Sequence, residues 1–197
     1  RKRHLASIPG CKPRARVKLF LQSFCRDPEL SSIPRFRPNW RFMLDHPAHL
    51  LALGFGSGLA WVLPGTFGTL MGWLLYVWLD PYLAANQWIW VIVGAFVAGA
   101  WACQITGKAL GVIDHGGIVW DEIVAIWLVL FVASNHFSSP IEQLTCVLLF
   151  RFFDMVKPPP IRWFDRHWKN GFGVMFDDIV AAFMTLLALS VYLYFLK

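Results

Sequence analysis

Charged side chains are scarce in this chain of 197 residues. They make up 15% of the sequence, whereas a soluble domain usually carries about 25%. Hydrophobic residues make up 57%, which is too many for an intrinsically disordered chain. The composition therefore argues against both an ordinary soluble domain and a disordered one.

Cysteine is also rare. Four cysteines lie far apart and form no C-x-x-C pair, so neither a disulfide framework nor a zinc site is indicated.

Signatures of several phosphatase classes are missing as well. No cysteine is followed six residues later by arginine, and neither the His-nucleophile motif of lipid phosphatases nor a D-x-D-x-[TV] motif occurs. Any phosphatase chemistry is therefore expected to use a water molecule that a metal ion activates.

Basic residues are concentrated at the start of the chain. Residues 1–41 contain 11 Lys and Arg against two acids, whereas the rest contains seven against ten. We divide the chain into a basic, Pro-rich leader (1–45) and a membrane-embedded catalytic domain (46–197). The leader is expected to be flexible or to lie against anionic lipid headgroups. No motif that could read bases follows it, so nucleic acid is not an expected partner.

Long apolar blocks separated by short breaks fill the remainder. A membrane-spanning helix needs about 20 mainly apolar residues, and the blocks lack the strict alternation of barrel strands. The pattern predicts an all-α, polytopic bundle of about five transmembrane helices, with a range of four to six. A glycine-containing block, 49–63, is predicted to be a weak span or a re-entrant or interfacial helix that stops at Pro64. The main blocks are 69–83, 88–105, 118–133, 141–155 and 179–196.

The distribution of Lys and Arg predicts the orientation. With the N-terminus inside, the loops 106–117 and 156–178 hold five basic residues, and the outer loops 84–87 and 134–140 hold none. This agrees with the positive-inside rule. We therefore expect a multi-pass protein whose polar face is cytoplasmic. The scattered histidines, His49 among them, are expected at the interface or exposed.

The few acids after residue 41 fall into three motifs. G-I-V-W-D-E-I-V-A (117–125) and G-V-M-F-D-D-I-V-A (173–181) match in form, and each acidic pair is expected to open an apolar helix. R-F-F-D-M-V-K-P-P-P-I-R-W-F-D (151–165) closes a third helix at the same boundary. Helix capping alone, or a proton-coupled transporter, would also account for such acids. Their alignment at one face favours catalysis at the membrane surface.

Carboxylates gathered at a membrane boundary need protons or cations to offset their charge. An all-oxygen donor set suits Mg²⁺ or Mn²⁺, and nearby Arg and Lys would bind a phosphate. We expect one group of acids to hold Mg²⁺ and to position or deprotonate the attacking water, with the general base left open: Asp121, Glu122, Asp154, Asp177 and Asp178. The residues expected to bind the substrate phosphate are Arg151, Lys157, Arg162, Thr66 and Thr69.

Three further groups of residues each have two interpretations, one in the site and one purely structural. Gly65, Thr66, Gly68 and Thr69 form either a backbone cradle for phosphate or a simple helix–helix turn. Asp114 and His115 supply either a proton for the leaving group or a loop cap. Asp165 forms a local ion pair or joins the site.

The motifs together resemble the phosphatidylglycerophosphatase A family over about residues 46–196. The segments that carry the resemblance are F-G-S-G-L-A-W-V-L-P-G-T-F-G-T (55–69), D-H-G-G-I-V-W-D-E (114–122), F-R-F-F-D-M-V-K-P-P-P-I-R-W-F-D-R (150–166) and G-F-G-V-M-F-D-D-I-V-A (171–181). The resemblance implies a Mg²⁺-dependent lipid phosphatase of the bacterial inner membrane that hydrolyses phosphatidylglycerophosphate to phosphatidylglycerol and inorganic phosphate at the cytoplasmic face. Another lipid phosphate or diphosphate as substrate, or a non-enzymatic cation-binding or transport protein, stays open, as does the oligomeric state.

Overall fold

The computed structural model describes residues 37–156 and 170–196, and within these ranges it contains helices and no strand. The all-α prediction is confirmed for this part of the chain. Short 3-10 helices at Gly54–Leu59 and Asp80–Tyr82 interrupt the α-helical pattern. The α-helices are α1 (Trp40–Asp45), α2 (Pro47–Ala52), α3 (Pro64–Leu79), α4 (Ala85–Leu110), α5 (Trp120–Ala133), α6 (Pro140–Val156) and α7 (Gly171–Leu196).

Helix α5 lies at the centre and packs against α3, α4, α6 and α7. Ten of its 14 residues are buried. Two tryptophans attach it to its neighbours: Trp120 Nε1 donates to the Ala95 carbonyl of α4 at 2.9 Å, and Trp127 Nε1 donates to the Gly72 carbonyl of α3 at 2.8 Å. These rings therefore fix α5 against α3 and α4 at two levels of the bundle.

Small residues on one face of α3 allow α5 to approach closely. A Cβ atom at Gly68 would lie 2.6 Å from Val119 Cβ, and one at Gly72 would lie 2.6 Å from Ile126 Cγ2. Glycines at such spacing bring helix backbones together in apolar bundles. The first turn of α5 is consequently held against the first turn of α3.

Within the described ranges, two helices are long and apolar enough to cross a membrane, namely α4 and Gly171–Phe195 of α7. At about 1.5 Å per residue, the 26 residues of α4 extend about 39 Å, which exceeds a hydrocarbon core of about 30 Å. Helices α3, α5 and α6 have 16, 14 and 17 residues. The polytopic prediction is therefore supported for two helices rather than five.

The block 49–63 does not form a spanning helix. It contains the end of α2 and a 3-10 helix in which Phe55 and Gly56 have positive φ angles. Pro64 begins α3, whereas the sequence predicted that it ends the preceding helix. The reason is that proline at the first helical position gives up an N–H that has no intrahelical partner there.

The two acidic pairs are not equivalent in the structure. Asp121 and Glu122 lie in the first turn of α5, as predicted. Helix α7 instead begins at Gly171, so that Asp177 lies near the end of its second turn. Asn170 Oδ1 accepts the Gly173 N–H at 2.7 Å and caps α7 well before the acidic pair. The prediction that the second pair opens its helix is therefore wrong.

His49 is buried, contrary to the expectation that it is interfacial or exposed. Its Nδ1 lies 2.9 Å from Thr106 Oγ1, and the Thr106 hydroxyl in turn lies 3.3 Å from the Ala48 carbonyl. This chain of polar contacts joins α2 to α4. Burial, and next the neighbouring His46, lower the pKa of His49 below its ordinary value of 6.5.

Candidate active site

Four helices meet at one end of the bundle. Helices α3 and α5 begin there, α6 ends there, and α7 contributes its second turn. Because α3 and α5 run away from this end, their N-terminal N–H groups point towards it. The site is therefore built from a helix N-terminal surface and the acidic side chains that surround it.

Arg151 connects two of these acids. Its Nη1 lies 3.0 Å from Glu122 Oε1 and 2.6 Å from Asp154 Oδ2. All three side chains are largely buried, with about an eighth of each exposed. Asp154 is three residues after Arg151 on α6, which places the two side chains on one face of the helix. The guanidinium thereby fixes the position of the α5 carboxylate relative to α6.

The backbone of α3 closes the site on another side. A Cβ atom at Gly65 would overlap Glu122 Oε1 and would lie 2.9 Å from Arg151 Nη2. A Cβ atom at Gly68 would lie 2.9 Å from Glu122 Oε2. Only glycine permits this approach, so the Glu122 carboxylate lies directly against the first turn of α3.

Of the two threonines expected to bind phosphate, Thr69 is fully buried. Its hydroxyl donates to the Gly65 carbonyl at 3.0 Å and lies 3.4 Å from Glu122 Oε2. In this arrangement Thr69 contacts Glu122 directly. Thr66 is half-buried in the first turn of α3, and its N–H donates to the Leu63 carbonyl at 2.9 Å. A phosphate contact by either residue stays a prediction.

Asp121, Asp177 and Asp178 are all buried beside these groups. Asp121 Oδ1 accepts the Glu122 N–H at 3.0 Å within the first turn of α5. Asp121 also lies within electrostatic range of Asp177. Asp178 lies within electrostatic range of the other four acids. The structure thus brings the five acids selected from the sequence to one place.

Two buried polar atoms in this cluster have no hydrogen-bond partner among the described residues. They are Arg151 Nε and Asp178 Oδ2. Buried polar groups are nearly always paired in folded proteins, so each unpaired atom needs an explanation. One is a cationic donor and the other is a carboxylate acceptor. This pair of atoms suits a ligand that contains both an anionic group and a cation.

The remaining predicted residues fall into two groups. His115 Nδ1 accepts the Gly117 N–H at 3.0 Å, which is the loop-capping interpretation, and Asp114 lies within electrostatic range of Asp121. Three others lie outside the residues that the structure describes: Lys157, Arg162 and Asp165.

The donor set fits a hard divalent cation. The acids provide only oxygen, which Mg²⁺ prefers, and Asp178 Oδ2 is buried without a partner. No three His, Cys, Asp or Glu side chains converge on a metal-sized point in residues 37–156 and 170–196. Mg²⁺ is commonly held by one or two carboxylates, with waters and substrate phosphate oxygens as its other ligands. A site of that kind is compatible with this geometry.

Sequence reasoning did not assign the supporting contacts of Glu122. This one carboxylate is held from three sides. The backbone of Gly65 lies against it, the Thr69 hydroxyl contacts it, and Arg151 pairs with it and with Asp154. The signal in the sequence was the P-G-T-F-G-T run at 64–69, where two glycines and two threonines follow a proline. The sequence does not indicate which acid they face.

Comparison with known proteins identifies the family of this chain. The model of the family described as Phosphatidylglycerophosphatase A matches residues 50–193. Phosphatidylglycerophosphatase A of Haemophilus influenzae is 46% identical over 145 residues, covering 74% of this chain and 88% of that protein. Phosphatidylglycerophosphatase A of Escherichia coli is 40% identical over 141 residues, covering 72% and 80%.

A third relative has a different name. A protein of Bacteroides thetaiotaomicron, provisionally named a phosphatidylinositol-3-phosphatase, is 31% identical over 146 residues, covering 72% of this chain and 91% of that protein. No solved structure matches the chain. The matched family region contains all five acids and Arg151. The chain therefore belongs to the phosphatidylglycerophosphatase A family.

Proposed function

We propose that this protein hydrolyses the phosphate monoester of phosphatidylglycerophosphate. Water is consumed, the bond between phosphorus and the glycerol oxygen breaks, and phosphatidylglycerol and inorganic phosphate are released. The observation that carries the proposal is the buried Arg151–Glu122–Asp154 cluster against the first turn of α3. It lies within a region matched by the phosphatidylglycerophosphatase A family model.

Arg151 is proposed to bind the substrate phosphate. It contacts two carboxylates through Nη1 and retains Nε as a buried donor without a described partner. Arginine binds phosphate through two parallel N–H groups, which fixes orientation as well as charge. The Gly65 N–H, in the first turn of α3, is proposed to be a backbone donor on the same side of the site. Lys157 and Arg162 are proposed to add positive charge.

The acidic residues are proposed to hold Mg²⁺, with Asp121, Asp154, Asp177 and Asp178 around Glu122. When bound, Mg²⁺ supplies Lewis acidity and lowers the pKa of water. One of the five carboxylates accepts the proton of the attacking water. Thr69 and Gly65 hold the Glu122 carboxylate in one position while this happens.

The protein is proposed to be a multi-pass protein of a bacterial inner membrane, with the site at the cytoplasmic face. Two candidate spans, α4 and α7, support membrane association. Helices α3, α5 and α6 are proposed to complete a five-helix bundle, because consecutive helices bring alternating ends to the site. The basic residues of the sequence segments 106–117 and 156–178, which are predicted to be loops on the cytoplasmic side, support this orientation.

A second candidate is hydrolysis of another lipid phosphate monoester. The Bacteroides relative, provisionally named a phosphatidylinositol-3-phosphatase, supports keeping this alternative. The phosphate-binding groups described above contact only the part that such lipids share. Headgroup preference would have to come from residues around the cluster.

The test is phosphate release by the purified full-length protein in detergent, with Mg²⁺ or with EDTA. Phosphatidylglycerophosphate should be the best substrate in a panel that includes phosphatidylinositol 3-phosphate, phosphatidic acid and a prenyl diphosphate. EDTA should abolish release, and excess Mg²⁺ should restore it. Faster release from another member of the panel would replace the proposed substrate. Bound Mg²⁺ with no release from any member would favour a transport or binding protein.

Variants connect the activity to the site. Glu122→Gln and Arg151→Met should each lower kcat by about 100-fold or more. Glu142→Gln is the matched control, because Glu142 is an exposed acid at the opposite end of the same helix as Arg151. Near-normal rates in both site variants would refute the assignment.

A further inference from the structure

The segment before α3 forms an apolar rim, which we define as Trp61, Val62, Leu63 and Phe67. These side chains are 85%, 69%, 57% and 53% exposed. Clustered exposure of large apolar side chains marks a surface that contacts another apolar phase. The rim is adjacent in sequence to Gly65, which contacts the Glu122 and Arg151 side chains.

The backbone fixes the rim relative to the site. Leu63 has a left-handed conformation, with φ +50° and ψ +53°. This conformation is unfavourable for a residue with a Cβ atom and persists only where surrounding contacts impose it. The Leu63 carbonyl accepts the N–H groups of Thr66 and Phe67 at 2.9 and 3.3 Å, which ties the turn to the start of α3.

Cationic and aromatic side chains flank the rim. The Arg37 guanidinium lies 5.6 Å from the centroid of the Trp61 ring, and Arg41 lies 6.0 Å from that of Trp40. Both arginines are exposed, and helix α1, which carries Trp40, has no buried residue. Arginine beside tryptophan is typical of the headgroup depth of an anionic leaflet.

This surface continues onto a candidate span. The His46 ring, between α1 and α2, lies 6.1 Å from the ring of Trp101, an exposed residue of α4. The exposed face of α4 therefore reaches the site end of the bundle beside α1.

We propose that the apolar rim binds the acyl-chain end of the phospholipid substrate, which enters sideways from the leaflet while its phosphate reaches Arg151. The inference rests on the proposed function for the identity of the phosphate-bearing lipid. One amphipathic molecule accounts for both features, because Leu63 of the rim is two residues from Gly65, which lies against the Arg151 side chain.

Binding is tested without turnover by photo-labelling. The full-length protein in anionic nanodiscs is exposed to phosphatidic acid or phosphatidylcholine that carries a diazirine on one acyl chain. Phosphatidic acid should label residues 61–67 about fivefold more than phosphatidylcholine does, as expected for about 1 kcal/mol of phosphate recognition. Equal labelling by both probes would show contact with bulk lipid only and would overturn the proposal. Protection from both probes in a dimeric sample would assign the rim to a second copy of the chain and would also overturn it.

Kinetics separate the rim from the catalytic groups. Trp61→Ser and Leu63→Ser should each lower kcat/KM about tenfold for dioleoyl phosphatidylglycerophosphate, since each removes part of an apolar contact. For the dihexanoyl lipid, the change should stay within about twofold. Trp90→Ser, an exposed tryptophan near the opposite end of α4, should change neither value.

Each kinetic outcome has one meaning. Equal losses on the long and short lipids would indicate a structural role, and no loss on either would indicate no role; both overturn the rim proposal. If the unmodified protein releases phosphate from neither lipid, the proposed function has failed. In that case the ratio of labelling by phosphatidic acid to labelling by phosphatidylcholine tests the rim proposal by itself.

Discussion

Replacement of Gly65 by alanine tests whether close packing of α3 against α5 sets the position of the Glu122 carboxylate. The new Cβ atom would overlap Glu122 Oε1 and would lie 2.9 Å from Glu122 Cδ and from Arg151 Nη2. Ordinary contacts of a Cβ atom begin at 3.4 Å. The carboxylate must therefore withdraw by a distance on the order of 1 Å, enough to disrupt its 3.0 Å contact with Arg151.

The expected effect is on catalysis rather than on folding. A displacement of about 1 Å at a catalytic group can lower the rate by about 100-fold. Alanine favours a helix over glycine by up to about 1 kcal/mol, which offsets part of the steric strain. We therefore expect kcat for phosphate release to fall about 100-fold while Tm shifts by only a few degrees.

Two further variants make this test specific. Gly94→Ala is the matched control, because Gly94 is exposed on α4 and a Cβ atom there meets nothing within 4 Å. It should retain full activity. Glu122→Asp shortens the carboxylate by one methylene and should restore part of the activity in the Gly65→Ala background. Wild-type kcat in Gly65→Ala, measured beside an intact thermal transition, would refute the reasoning.

Other expectations concern the supports of the site and the junction of α2 with α4. Arg151→Lys should lower kcat/KM about tenfold or more, because lysine cannot replace the contacts of the guanidinium to two carboxylates together with the proposed contact to phosphate. Thr69→Val should lower kcat with little change in KM, whereas Thr69→Ser should retain activity, because only the hydroxyl contacts Glu122. Equal kcat in both Thr69 variants would contradict this. Burial lowers the pKa of His49 in the folded chain, so the unfolded chain binds more protons. Tm should therefore fall as the pH drops below about 6.5, and His49→Gln should flatten that fall; a slope unchanged in His49→Gln would show that another group is responsible.

The sequence predicted the helices, and it indicated the acids that lie together in the structure, because both depend on local signals. Apolar blocks locate helices, and acids are so scarce after residue 41 that each motif is conspicuous. The ends of helices were less predictable. Val119 donates its N–H to the Ala52 carbonyl at 3.0 Å, which holds it out of the helix, so α5 begins at Trp120. In the matching segment, Asn170 instead caps α7 before its acidic pair.

Contacts between distant parts of the chain were not predictable from pattern alone. Thr69 and Glu122 are separated by 53 residues, and His49 and Thr106 by 57. Whether such residues meet depends on the depth at which one helix packs against another. Here that depth is set by glycines on α3 and by the indole N–H groups of α5. The sequence contains these residues but does not state their partners.

The charge balance of the site indicates what a phosphate needs in order to bind. Five carboxylates are gathered there, and in the described part of the chain Arg151 forms ion pairs with two of them, Glu122 and Asp154. A phosphate brought to Arg151 alone would be repelled by the acids around it. A divalent cation between the acids and the phosphate would remove that repulsion, and Asp178 Oδ2 is a buried oxygen available to it. We therefore expect Mg²⁺ and phosphate to bind cooperatively, so that each raises the affinity of the protein for the other.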